Sequence, residues 1–161
     1  MKGLIILVVG VLAVFAAIAQ PVQSASVDEL VDKLAPPATT RSLRNLKPER
    51  RKIDLIVNFD FGSAKLQDSS KPLLASLAEA MASERIKALR FAVEGHTDAV
   101  GNASANQQLS EKRAQSVVAF LSNKGVEKER LVAEGKGFSE LLLPDMPHAK
   151  ENRRVRISTL D

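Results

Sequence analysis

The chain has 161 residues, of which 45% are hydrophobic, enough for one modest domain with a real core and too many for a disordered protein. The absence of cysteine excludes disulfides, thiolate metal sites and a cysteine nucleophile, and two histidines alone give a metal site little support. The formal charge is +4, but residues 41–52 carry six basic side chains and one acidic one, whereas residues 53–161 carry 15 of each. A basic excess outside the folded domain argues against nucleic acid as a partner.

The first 25 residues are typical of an export signal. Lys2 is their only charged residue, an apolar run occupies residues 4–19, and residues 17–19 (A-I-A) provide a small-x-small cleavage pattern, with a later option at residues 22–25. We predict a signal peptide over residues 1–25. The alternative is an uncleaved anchor, although about sixteen apolar residues are fewer than the roughly 20 that span a bilayer. Both interpretations place the remaining chain outside the cytoplasm.

Residues 26–52 are predicted to form a short helix followed by a basic linker. Val27, Leu30, Val31 and Leu34 recur at helical spacing, and two prolines follow the helix. The polar, basic stretch beyond them is interpreted as a solvated tether. Contact with phosphates of lipid headgroups or lipopolysaccharide is the alternative.

Residues 53–161 are predicted to fold as one α+β domain with the element order β-α-β-α-β-β. β-branched and alternating apolar runs predict strands, and apolar residues three or four positions apart predict helices. These patterns place strands at residues 53–61, 89–93, 130–134 and 154–159. They place helices at residues 105–123 and after Ser69 or Ser70, either of which can cap its helix. We expect both helices on one face of a small mixed sheet, which gives a two-layer sandwich.

Asp98 and Arg113 form the candidate site. Asp98 follows the second predicted strand in a turn-rich loop, and Arg113 lies at the edge of the buried face of the second helix, on the same side as Asn106. An acid beside a guanidinium suits a zwitterion such as an α-amino-acid end, because the two opposite charges of the ligand are both paired. On spacing alone, the alternatives are a turn-forming Asp98 and a surface ion pair for Arg113.

Several motifs occur in the order of a known family. They are residues 58–64 (N-F-D-F-G-S-A), 95–101 (G-H-T-D-A-V-G), 106–114 (N-Q-Q-L-S-E-K-R-A), 135–137 (G-K-G) and 152–155 (N-R-R-V). Together they make the chain similar, over about residues 53–160, to the OmpA-like C-terminal domain. This domain is the peptidoglycan-associating module of outer-membrane proteins, Pal lipoproteins and MotB-type stator proteins.

The resemblance implies a non-catalytic domain that binds the meso-diaminopimelate of the peptidoglycan stem peptide without cofactor or metal. It implies a place in the periplasm or cell envelope, with association to the outer or the inner membrane. By position, Asp98 and Arg113 match the diaminopimelate-binding pair of the family, and Asn106 matches a supporting polar contact.

Five further residues are implied as ligand contacts. Asp60, Phe61 and Gly62 match a loop that lines the same groove, and Thr97 and Arg153 are lesser candidates. Asp60 and Asp98 are also the pair of carboxylates that a wall hydrolase would need. The resemblance argues against that enzyme, whereas an inner-membrane-anchored structural or stator-type component stays open as an alternative.

Three other features have competing interpretations. Arg153 and Arg154 would equally suit charges that protect an edge strand from pairing. His96 is interpreted as a structural residue that orients its loop and not as a general base. The apolar residues 141–143 are expected to pack on the domain, with contact to a partner as the alternative.

Overall fold

The computed structural model describes residues 20–37 and 50–160. In chain order the helices and strands of these residues are α1 (Val27–Leu34), β1 (Lys52–Leu55), α2 (Lys71–Ala82), β2 (Phe91–His96), α3 (Ala103–Asn123), β3 (Leu131–Gly137) and β4 (Val155–Thr159). The predicted signal segment up to residue 19 and most of the basic linker, residues 38–49, lie outside the described residues. In the part of the chain that the structure describes, no helix is both long and apolar enough to cross a membrane.

The predicted α+β class and element order are confirmed. From β1 onward the order is β-α-β-α-β-β, and the sheet is mixed, with the strand order β1-β4-β2-β3. β4 lies antiparallel to β1 and β2, and β2 lies parallel to β3. A parallel pair needs a crossover connection, which α3 provides. Leu55, Val93 and Ile157 are fully buried in the core that the strands share with the helices.

The helix predicted at residues 27–34 is present and packs into the same core as the domain. A capping box starts it, in which the Ser26 side chain accepts the Glu29 N–H and the Glu29 carboxylate accepts the Ser26 N–H. Leu30 and Leu34 are fully buried among the core residues. The core therefore extends upstream of residue 53, where the sequence placed the start of the domain.

The chain before α1 contacts the edge of the sheet. Val22 forms a parallel bridge with Leu55. Its N–H donates to the Asp54 carbonyl at 2.8 Å, and its carbonyl accepts the Ile56 N–H at 2.8 Å. Residue 22 therefore covers the outer edge of β1, which would otherwise be open to pairing with another chain.

The prediction of a first strand over residues 53–61 is wrong beyond Leu55. Leu55 lies opposite Val155, the first residue of β4, so no partner continues the ladder further. Ile56 donates its N–H to Val22, and Asn58 donates its N–H to the Ser70 side chain at 2.7 Å. The chain then leaves the sheet as a loop.

β2 and β3 both run further than the sequence predicts. The glycines at the two carboxyl ends suggested loops, but Gly95 and Gly135 face each other in the parallel ladder. A Cβ built on Gly95 would lie 2.1 Å from the Ser110 carbonyl oxygen, and one on Gly135 would lie 2.7 Å from the Glu111 amide nitrogen. Glycine at these positions therefore lets α3 approach the sheet backbone closely.

The two long helices agree with their predictions apart from their caps. α2 buries its predicted apolar face, which consists of Leu73, Leu74, Leu77 and Met81. Ser70 precedes α2, but its hydroxyl bonds to Asn58 and not to the helix, so side-chain capping by serine is wrong. α3 begins two residues before the prediction because the Asn102 side chain caps it.

Candidate functional site

An open groove of about 810 Å³ lies where the loop after β2 meets the start of α3, the loop after β1 and the turn before β4. Most of the residues predicted for the site line this groove. They are Asp98, Arg113, Asn106, Thr97, Phe61, Gly62 and Arg153.

Asp60 is the predicted residue that the groove lining does not include. Its amide donates to the Lys65 carbonyl at 2.9 Å, and its carboxylate forms an ion pair with Lys65 at 3.4 Å. These contacts close the turn that carries Phe61 and Gly62. Asp60 thus shapes the loop from outside the groove.

Asp98 is both a turn former and one half of an ion pair. It is only 8% exposed. Its Oδ1 accepts the Val100 N–H at 3.2 Å, and its Oδ2 accepts from Arg153 Nη1 at 2.6 Å. An ionised carboxylate has about four lone-pair positions, so Asp98 retains capacity for a further donor.

Arg113 is held in the groove wall without a carboxylate partner among the described residues. Its Nε donates to the Ser63 carbonyl at 3.0 Å, and its guanidinium lies over the Phe59 ring, 4.9 Å from the centroid. Burial and the nearby charge of Arg153 lower the pKa of Arg113, and Asp98 acts in the opposite direction. The side chain stays protonated at neutral pH.

The edge-charge interpretation of Arg153 and Arg154 is wrong. They lead into β4, which lies between β1 and β2 and is not an edge strand. Arg154 is buried, and its Nε donates to Asp54 Oδ1 at 2.8 Å. Arg153 lines the groove and pairs with Asp98.

Asn106 and Thr97 support the loop that carries Asp98. Asn106 Nδ2 donates to the Val100 carbonyl at 2.8 Å. The Thr97 amide donates to the Gly137 carbonyl at 2.8 Å, and its side-chain hydroxyl is buried without a hydrogen-bond partner among the described residues. Both residues therefore help to fix the loop in addition to lining the groove.

Asn152 lies within the N-R-R-V motif, but no role was predicted for it. Its side chain is fully buried. Its Oδ1 accepts the Leu143 N–H, and its Nδ2 donates to the carbonyls of Met146 and Pro147. The Pro147 carbonyl in turn accepts the Ala99 N–H at 2.9 Å. Asn152 is thus a positioning residue that acts on the Asp98 loop through residues 143–147.

The apolar residues 141–143 are half-buried, which agrees with the expectation that they pack on the domain.

His96 is enclosed, with 2% exposure, and its Nε2 lies 3.8 Å from Glu94 Oε2. Burial lowers the pKa of His96, the Glu94 carboxylate opposes that shift, and Arg154 and Arg156 reinforce it. A neutral, enclosed imidazole supports the structural interpretation of His96.

The rim of the groove combines residues from distant parts of the chain. Phe61 is fully exposed on the loop after β1, and Val100 is largely exposed on the loop after β2. Gln23 and Lys150 also line the groove and come from opposite ends of the chain. No motif singles out Gln23 or Lys150, because only the folded structure brings these two residues to the groove.

Residues 58–155 match the OmpA family, and the chain belongs to that family. Outer membrane protein A of Serratia marcescens is 30% identical over 125 residues, which cover 78% of this chain and 35% of that protein. Outer membrane porin F of Pseudomonas aeruginosa is 40% identical over 89 residues, which cover 55% of this chain and 25% of that protein. The photosystem I P700 chlorophyll a apoprotein A2 of Gloeobacter violaceus is 36% identical over 113 residues, which cover 65% and 12%. The chain thus covers between 12% and 35% of the length of these three relatives.

Solved structures have the same fold. The peptidoglycan-associated lipoprotein of Burkholderia pseudomallei is 29% identical with a TM-score of 0.56, covering 64% of this chain and 87% of that one. The cell wall anchor of the T6SS from Pseudomonas aeruginosa is 26% identical with a TM-score of 0.55, covering 82% and 90%. A putative MotB-like protein of Desulfovibrio vulgaris is 26% identical with a TM-score of 0.60, covering 71% and 75%.

Proposed function

We propose that this chain is a non-enzymatic protein of the periplasm that holds peptidoglycan non-covalently and tethers the cell envelope. The ligand is the diaminopimelate of the stem peptide. Membership of the OmpA family supports the proposal, as does the likeness to a peptidoglycan-associated lipoprotein and to a cell wall anchor. The observation that carries it is one groove lined by both Asp98 and Arg113.

The free hydrogen-bonding capacity of the two residues suits the zwitterionic end of diaminopimelate. Asp98 has lone pairs left after its bonds to Val100 and Arg153, and these suit an ammonium. Arg113 uses Nε for the Ser63 carbonyl, so its two terminal nitrogens remain for a ligand carboxylate. Binding through these ionic and hydrogen-bond contacts requires no catalytic nucleophile.

The test is co-sedimentation with purified sacculi. We expect Asp98→Asn and Arg113→Ala each to weaken binding by about tenfold to a hundredfold, because one charge of the ligand is then buried without its partner. Asp98→Asn keeps an oxygen for the Val100 N–H, so the loop should stay folded. The matched controls are Asp28→Asn and Arg85→Gln, which remove exposed charges outside the groove lining. Undiminished binding by both groove variants would contradict the proposal, and so would turnover of peptidoglycan by the pure protein.

A second candidate is an inner-membrane-anchored structural or stator-type component that uses the same domain. The likeness to a putative MotB-like protein and the apolar run at residues 4–19 favour it. Mass spectrometry of the mature protein separates the two. An N-terminus at Gln20 or Ser26 supports a released protein, whereas an intact Met1 supports anchoring.

A further inference from the structure

The groove has an excess of positive charge. Its lining contains one acidic residue, Asp98, and three basic ones, Arg113, Arg153 and Lys150. Residues 53–161 as a whole carry 15 basic and 15 acidic side chains, so the excess is local. A single zwitterion contributes no net charge and would leave this excess in place.

Lys150 and Arg153 are joined by a backbone hydrogen bond. Lys150 begins a 3₁₀ helix that ends at Asn152, and the Arg153 N–H donates to the Lys150 carbonyl at 3.0 Å. Arg153 is the C-cap of this helix, so a single turn of backbone separates the two residues. Both residues line the groove.

The two cations differ in their partners. Arg153 donates from Nη1 to Asp98. Lys150 is exposed, and its ammonium makes no hydrogen bond or ion pair with the residues that the structure describes. The charge of Arg153 also repels that of Arg113 and contributes to the lowered pKa of Arg113, and the Asp98 carboxylate offsets this effect only in part. A second anion in the groove would relieve this repulsion.

We propose that Lys150, together with Arg153, forms a second carboxylate subsite. It binds a carboxylate of the stem peptide that is not part of the zwitterionic end at Asp98 and Arg113. This inference rests on the proposed function and adds a specificity to it. The groove then prefers a stem peptide whose other carboxylates are free over one in which they are amidated.

The experiment compares two peptides by titration calorimetry. One is N-acetylated L-Ala-γ-D-Glu-meso-diaminopimelate. The other is the same peptide with every carboxylate outside the zwitterionic end amidated. We expect Lys150→Gln to weaken binding of the free peptide about three- to fivefold, as for an exposed charge pair, and to leave binding of the amidated peptide unchanged. The control is Lys128→Gln, because Lys128 is also the exposed first residue of a 3₁₀ helix but lies outside the groove lining. It should bind both peptides like the wild type.

Asp98→Asn separates this inference from the proposed function. If it loses both peptides while Lys150→Gln binds the free peptide like the wild type, the proposed function stands and the second subsite is wrong. An equal loss of both peptides by Lys150→Gln would also overturn the subsite, since it would reflect a general charge effect. If the wild type binds neither peptide, the proposed function and the subsite both fail.

Discussion

At the scale of single residues, Arg113 depends on the shape of its side chain as well as on its charge. Its Nε bond to the Ser63 carbonyl and its position over the Phe59 ring fix the plane of the guanidinium. The two terminal nitrogens then present a fork of fixed direction. A lysine ammonium has neither the plane nor the fork.

We therefore expect Arg113→Lys to bind sacculi about tenfold more weakly than the wild type, although the charge is retained. Co-sedimentation over a range of protein concentrations measures the loss. Lys112→Arg, an exposed neighbour outside the groove lining, is the control and should bind normally. Normal binding by Arg113→Lys would mean that charge alone is recognised.

Sequence patterns predicted the positions of these residues better than their bonds. The T-D-x-x-G and S-x-x-R-A patterns brought out Asp98 and Arg113, and both line the groove. The bond between Asp98 and Arg153 joins residues 55 positions apart, and no local spacing encodes it. The same holds for Phe59 beneath Arg113, which was predicted as a strand residue and lies in the motif of residues 58–64 without an assigned role.

At the scale of elements, the position of Arg113 depends on how closely α3 lies on the sheet. Gly95 sits in β2 directly below the Ser110 carbonyl of α3. The Ser110 hydroxyl accepts the Gly137 N–H at 2.9 Å and so ties the helix to the end of β3. Arg113 follows Ser110 by three residues in α3, so a shift of the helix away from the sheet would displace Arg113 from its position in the groove.

We expect Gly95→Ala to destabilise the domain by about 3 kcal/mol or more, because the added methyl group would overlap backbone that cannot rotate away. Urea unfolding followed by circular dichroism measures the change. Val132→Ala, on a half-exposed position of the neighbouring strand, is the control and should cost under about 1 kcal/mol. A Gly95→Ala variant as stable as the wild type would show that α3 shifts freely.

Element type was predictable from periodicity, and element ends were not. Apolar spacing identified α1 and α2 correctly, since burying one face of a helix needs that spacing. The end of β1 depends on where β4 starts, and the extension of β2 depends on glycines that pack against α3. These are tertiary effects, and the apolar residues of one strand do not show where its neighbouring strand begins or ends.

At the scale of the whole molecule, charged side chains join the strands on the sheet. Asp54 on β1 accepts from Arg154 Nε at 2.8 Å and from Arg156 Nε at 2.9 Å. Burial raises the pKa of Asp54, but the hydrogen bond and charge of Arg156 and the charge of Arg154 lower it by more. The carboxylate is therefore more acidic in the folded chain than in the unfolded one.

This pKa shift predicts how stability depends on pH. A lowered pKa gives stability that is complete above the ordinary aspartate value of about 3.9 and is lost as the pH falls through the lower folded value. We expect Asp54→Asn to cost about 3 kcal/mol at pH 7, because buried Arg154 loses its counter-charge. The difference from the wild type should shrink below about pH 4.

Urea unfolding at a series of pH values checks this expectation, with Asp145→Asn at an exposed position as the control. A constant difference between Asp54→Asn and the wild type down to about pH 2 would contradict it, since ionisation of Asp54 would then be unrelated to folding.

The pairing of Val22 with β1 also determines how the domain would carry mechanical force. Asp98 bonds to Arg153, Arg153 leads into β4, β4 pairs along β1, and β1 bonds to Val22. If the wall holds the groove and the chain before residue 20 is fixed, tension crosses the sheet along this ladder. The chain at Val22 is parallel to β1 and is joined to it by two hydrogen bonds. A pull along the strand direction therefore loads both bonds in shear at the same time and does not open them one by one. α1 and α2 lie off this path, so the helical layer would stay packed until the Val22 contact ruptures.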